Sequence, residues 1–238
     1  MEQNDLKQTT HRRGFLGTLA TGAAALGLAS LASPFKLQAQ TEKKKAPVQA
    51  MNPADEWFNK ISGKHRIVFD ATRPNDLMPF AWPKVFILTN EKTGTPANDC
   101  SVVVVLRHEA IPYAFEDRVW KKYNFAEVFK VTDPHDHTGK TPASGNPFWK
   151  PNPNYSIPGV GEVAIGINDL QADGVKFCVC DMAMTVYSAV VADQMKMNAD
   201  AVKKDWMSGL LPGVHPVPSG VWAVGRAQEH GCKYCFAG

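Results

Sequence analysis

Residues 101–106 read Ser-Val-Val-Val-Val-Leu, and no feature of the chain constrains its fold more. A strand with one face in water alternates apolar and polar side chains. A run that is apolar almost throughout suits a strand buried on both faces, which is how strands of a parallel sheet look. Such a strand needs parallel neighbours beside it and helices above and below, and the flanking sequence offers both. Residues 64–70 (Lys-His-Arg-Ile-Val-Phe-Asp) form a β-branched and aromatic run ahead of a Pro- and Asn-containing turn. A helical pattern around Trp82, Val85, Phe86 and Leu88 follows. Pro83 fits the first turn of that helix, because a proline deeper inside removes a hydrogen bond and clashes with the preceding turn.

The same alternation continues. A helix is expected over 114–123, where Phe115, Val119 and Trp120 share a face. From 132 to 161 prolines and glycines break every period, as in Asn146-Pro147-Phe148-Trp149-Lys150-Pro151, so this stretch reads as an irregular insertion. Order returns with a short helix at 167–172, an apolar strand at 175–180, a long helix from Asp181 or Met182, and an amphipathic helix at 199–207. A brief strand at 214–217 leads to Ser219, which caps a helix running through Gln228. Gly231 stops that helix and residues 232–236 make a last strand. Strands alternating with helices predict an α/β fold whose parallel sheet is covered on both faces.

The amino terminus carries a different signal. Arg12 and Arg13, followed by Gly14, Phe15 and Leu16, precede a run at 18–31 that is rich in Ala, Gly and Leu and free of charge. That run is shorter than the roughly 20 residues a membrane-spanning helix needs. Leu37, Gln38 and Ala39 then place a small residue where a signal peptidase would cut. Residues 1–39 therefore read as a twin-arginine signal peptide directing export to the periplasm, with no membrane attachment once it is cleaved. Residues 40–55 read as a polar linker, and 56–238 as one domain containing the insertion at 132–161. Cleavage removes Lys7, Arg12, Arg13 and Lys36 together with Glu2 and Asp5, so the formal charge falls from +3 to +1. A near-neutral domain gives no electrostatic case for nucleic acid as a partner.

Three segments carry a family resemblance: the strand and turn Gly174-Val-Lys-Phe-Cys-Val-Cys180, the turn Val217-Pro-Ser-Gly-Val221, and the ending Gln228-Glu-His-Gly231 followed by a strand containing Tyr234. In their order and spacing they resemble the DsrE/DsrF-like domains, over roughly residues 60–238. The resemblance implies a three-layer α/β/α fold with a five-stranded parallel sheet in the order 4-3-2-1-5, assembled as a homo-oligomer, a trimer or hexamer. It also implies sulfur-relay chemistry with a sulfur-donor or acceptor protein as partner. The signal peptide and the 132–161 insertion depart from the small cytoplasmic members.

Cys180 is the leading candidate for chemistry. It stands at the carboxyl end of a strand, where open α/β sheets place ligands and reactive groups, and the next helix points its positive amino terminus there. That setting favours nucleophilic or persulfide chemistry, although the adjacent charge of Asp181 opposes a thiolate. Family members that carry sulfur use a cysteine at the position matching Cys180. Arg107 and His108 follow the neighbouring strand and are expected near it, Arg107 to hold an anion and His108 to promote the thiolate. Asp70 ends the first strand on the same rim. Cys178, two residues before Cys180, is expected on the same side of the strand.

Cys232-Lys-Tyr-Cys235 has the spacing of a redox or zinc motif, but within a terminal strand positions i and i+3 point to opposite faces, and two ligands fall short of the four a structural zinc site takes. His135 and His137 flank Asp136 in the insertion and read as solvated surface. The methionines at 182, 184, 195, 197 and 207 read mostly as core packing. Gly159, Gly161 and Gly166 lack the spacing of a dinucleotide fingerprint, so no cofactor is expected, and no metal site either. The leading expectation is an exported sulfur-handling protein. Against it stand a non-catalytic binding or scaffold domain, which exposed Phe148, Trp149 and Tyr155 would favour, and a metal carrier.

Overall fold

The computed structural model describes residues 53–238; residues 1–39 and most of the linker lie outside the described residues. The chain enters through α1 (Pro53–Phe58), so order begins within the stretch expected to be linker. Then come β1 (His65–Ala71), α2 (Met78–Lys92), β2 (Cys100–Leu106), a 3-10 segment (His108–Ala114), α3 (Asp117–Lys122) and α4 (Phe125–Val128). The second half holds β3 (Tyr155–Ile157), β4 (Gly161–Val163), α5 (Ile167–Ala172), β5 (Lys176–Cys180), α6 (Asp181–Met195), α7 (Ala199–Ser208), β6 (Val214–Val217), α8 (Gly220–Glu229) and β7 (Lys233–Phe236).

Five strands form one sheet in the order β6-β5-β2-β1-β7, every pair parallel, with helices on both faces: a three-layer α/β/α fold. Counted within that sheet, the order is the expected 4-3-2-1-5. The valine run is β2, the central strand. Val102, Val104 and Leu106 enter the larger of two apolar clusters, whereas Val103 and Val105 enter the smaller. The larger cluster lies under α2 to α7. The smaller is closed by Trp57 and Phe58 of α1 and Ala223 and Ala227 of α8. Both faces of β2 are therefore dry, which is why neither set of alternate positions could be polar.

Four local expectations change. Pro83 lies inside α2, which starts earlier, at Met78, with Pro79 in its first turn. The ring of Pro83 is buried, and that packing offsets the amide it cannot donate to the carbonyl of Pro79. The helix expected from residue 114 starts at Asp117, because 108–114 winds as a tighter 3-10 segment around Pro112. The 132–161 stretch is irregular only in part. It is bridged at Thr132 and Pro142, its end enters the β3–β4 hairpin, and it contributes Phe148 (0 % exposed) and Tyr155 (2 %) to the larger cluster. Finally, among the described methionines only Met184 is fully buried; Met182 and Met195 are exposed because the apolar residues of α6 spread around its circumference, and Met197, just past its end, is exposed too.

Candidate functional site

The loops leaving β5 and β6 diverge. β5 runs into α6, whose buried side chains join the larger cluster, whereas β6 runs into α8, whose buried side chains join the smaller. Adjacent parallel strands whose following helices go to opposite faces open a crevice at their carboxyl ends, the position at which α/β folds bind ligands. Two helix amino termini meet there, tied by the Met182 amide donating to the carbonyl of Pro218 at 3.3 Å.

Cys180 is the last residue of β5 and the N-cap of α6. Its Sγ accepts the Ala183 amide at 3.2 Å, and the residue is 7 % exposed. A sulfur in that position faces the positive end of a 15-residue helix, complementary to negative charge on sulfur. The opposing charge of Asp181 is answered by Lys203 of α7 at 2.9 Å. Cys178 is fully buried in the smaller cluster while Cys180 joins the larger, so the expected shared environment is not found; the backbone of Cys180 already leaves the strand to cap the helix. On the neighbouring turn, Ser219 Oγ accepts the Trp222 amide at 3.2 Å and caps α8, and Gly220 packs against the Arg107 stem. A β-carbon on Gly220 would lie 2.4 Å from Cβ of Arg107.

Arg107 is anchored there by Asp70. Its Nε donates to Asp70 Oδ1 at 2.6 Å and its Nη2 to Oδ2 at 2.8 Å, a bidentate pair. Asp70 is 2 % exposed, and Tyr234 Oη donates to its Oδ2 at 2.9 Å. The bond to Asp70 holds the guanidinium protonated above its ordinary range, with smaller contributions from Tyr234 and Cys180. The structure thus brings Arg107, Asp70 and Cys180 to one rim. Local sequence marks Tyr234 only as part of a family-like ending; its position on β7, beside β1, makes it the third member of the network.

His108 begins the 3-10 segment with a left-handed backbone (φ 53°), and its Nδ1 lies 2.8 Å from Tyr187 Oη, about two turns along α6 from Cys180. Burial pushes the Tyr187 phenol up, so its hydroxyl keeps its proton at neutral pH and shares a hydrogen bond with His108 Nδ1. His108 is therefore positioned by Tyr187, a contact that sequence separation concealed.

Among the five cysteines, all free, three are disfavoured as thiolates. Burial raises Cys178, burial pushes Cys232 up to about 11, and burial with the acidic neighbours Asp99 and Glu91 raises Cys100. Cys232 sits in the smaller cluster and Cys235 packs against the larger, on opposite sides of the sheet. His135 stacks on Tyr155 with ring centroids 4.4 Å apart, and its ring nitrogens face Asp133 and the Pro153 carbonyl. Among the described residues, no three or more His, Cys, Asp or Glu side chains gather to hold a metal ion. Of the aromatic residues whose exposure would mark a binding loop, Phe148 and Tyr155 are buried and Trp149 is half-buried.

No protein-family profile matches the chain, and no curated protein matches it. Among solved structures it is similar to a protein of unknown function, MTH1491 from Methanobacterium thermoautotrophicum, at 15 % identity and a TM-score of 0.37, over 73 % of this chain and 99 % of that one.

Proposed function

We propose that the chain is an exported, DsrE-like sulfur-handling protein in which Cys180 carries the sulfur. The observation that supports this reading best is the capping geometry of Cys180: a sulfur bonded by a helix amide, at the crevice between two diverging helices, with Arg107 on the same rim. In the reaction we envisage, the Cys180 thiol gives its proton to solvent and the thiolate attacks the outer sulfur of thiosulfate. The Cys180 S–S bond forms, the bond to the sulfonate sulfur breaks, and sulfite leaves with the electron pair. An acceptor thiol on a partner protein then takes the outer sulfur and returns Cys180 to the thiolate. Arg107 contributes positive charge toward the anionic donor, with Asp70 and Tyr234 holding it in place.

Export rests on the arginine pair and the apolar run of residues 1–39. Homo-oligomer assembly draws support from two exposed apolar rows, Trp82, Val85 and Leu88 on α2 and Met182, Val186 and Val190 on α6.

The test is intact-mass analysis of the mature protein after exposure to thiosulfate or polysulfide. Wild-type protein gains one sulfur atom, cyanide removes it, and Cys180→Ser, which keeps an oxygen to cap α6, gains none. A wild-type protein without the adduct, or a Cys180→Ser variant that still acquires it, refutes the reading.

A further inference from the structure

The two edges of the five-stranded sheet are built differently. β6 carries Pro216, and a proline on an edge strand withholds a donor and so deters further pairing. β7 has no such block. It reads Lys233, Tyr234, Cys235, Phe236, with no charge after Lys233, and Tyr234 and Phe236 are 48 % and 53 % exposed. Among the described residues only β1 pairs with it. An uncovered apolar edge of this kind is a template for another strand. The backbone fixes which groups it offers. The Ala237 amide donates to the Asp70 carbonyl at 3.0 Å, so Ala237 faces β1; peptide groups alternate along a strand, so Cys235 faces β1 too, and the N–H and C=O of Tyr234 and Phe236 face outward. Side chains alternate as well. Cys235 packs against the larger cluster, whereas Tyr234, bonded to Asp70, and Phe236 stand on the other face of the sheet.

A second copy of the chain, set antiparallel about a two-fold axis at Cys235, meets each of these constraints. Tyr234 lies opposite the partner's Phe236 as a hydrogen-bonded pair, and the symmetry repeats that aromatic contact, a favourable cross-strand pair. Lys233 lies opposite the partner's Ala237, so the two ammonium groups do not face each other. Cys235 meets the partner's Cys235 as a non-hydrogen-bonded pair with Cα atoms about 4.5 Å apart, inside the roughly 4.4–6.8 Å that a disulfide spans. An axis at Tyr234 would instead set Lys233 against Cys235 and Phe236 against Cys232, which is buried and outside the strand. We infer that β7 is a self-recognition edge, at which two copies of this chain join into one continuous sheet with Cys235 at the axis. The partner's Phe236 then covers Tyr234, the residue that holds Asp70. This contact stands independently of any chemistry at Cys180.

The mature protein tests this in solution. Sedimentation across micromolar concentrations gives an assembly of two chains or a multiple of two. Oxidised glutathione then locks the pair. The sulfur of one Cys235 attacks the glutathione disulfide and releases one glutathione; the partner's Cys235 attacks the mixed disulfide and releases the second, so two protein thiols are oxidised as one glutathione disulfide is reduced. Non-reducing gels and peptide mass mapping show a Cys235–Cys235 dimer, lost in Cys235→Ser and kept in Cys100→Ser and Cys232→Ser. Phe236→Lys, a change at an exposed side chain, leaves the Tm unchanged yet weakens the pairing about tenfold and prevents the bond. A monomer or an odd-numbered assembly, a cross-link through another cysteine, or a dimer that Phe236→Lys leaves intact would each overturn the inference.

Discussion

Replacing Asp70 by Asn probes the electrostatic core of the Cys180 rim, since the two side chains are nearly isosteric and the change removes the charge and turns one accepting oxygen into a donor. Asp70 is 2 % exposed and answers the guanidinium of Arg107 through two bonds of 2.6 and 2.8 Å, with Tyr234 adding a third at 2.9 Å. Removing one partner of a fully buried ion pair costs about 3–5 kcal/mol, because the other charge is left without compensation. The Arg107 side chain is 27 % exposed, so part of its charge can turn to water, and the expected loss falls to about 2–3 kcal/mol. Equilibrium urea unfolding measures it. A cycle with Arg107→Met, which retains most of the stem packed on Gly220, separates the pair from the packing. The double variant should be more stable than the sum of the two single losses predicts, by about 1–2 kcal/mol. An Asp70→Asn protein within about 0.5 kcal/mol of wild type, or strictly additive variants, would show that Arg107 is held by its stem and that the carboxylate does not organise the rim.

Two further outcomes follow from the packing. Phe148→Ala should cost about 3–5 kcal/mol in chemical denaturation, because the ring is 0 % exposed and stacks on Phe80 at 4.0 Å; a loss below about 1 kcal/mol would mean the insertion is not part of the core. Asp205 receives Lys122 Nζ at 2.8 Å, Tyr123 Oη at 2.7 Å and Arg118 Nη1 at 2.8 Å, bonds that hold its carboxyl well below the ordinary carboxylate range. Its contribution, about 1 kcal/mol for this partly exposed group, is complete above its unfolded pKa of about 3.9 and is lost as pH falls from there toward the folded value. Asp205→Asn should therefore destabilise at neutral pH and converge with wild type below about pH 3 in acid-unfolding curves, and a constant offset across that range would refute the assignment.

The alternation of elements was legible in the residues themselves because it rests on local periodicity. An all-apolar β2, the Ser219 cap, and the stop at Gly231 (φ 86°) each declare themselves within a few positions. Cys180 at a strand-to-helix junction was legible for the same reason. What periodicity cannot encode is pairing across distance. Arg107 finds Asp70 37 residues away, and Tyr234 reaches the same carboxylate from 164 residues away, only because β2 and β7 both lie against β1. His108 is expected beside Cys180 by strand adjacency, and its contact with Tyr187, 79 residues away, comes only from the tight 3-10 turn at 108–114. The insertion defeated sequence reading because its order comes from burying Phe148 and Tyr155 on a core built elsewhere, not from any repeat of its own. Local sequence thus determined the elements and the position of Cys180 at a strand-to-helix junction. The tertiary structure decided which charges compensate one another, since burial and pairing are properties of the assembled layers.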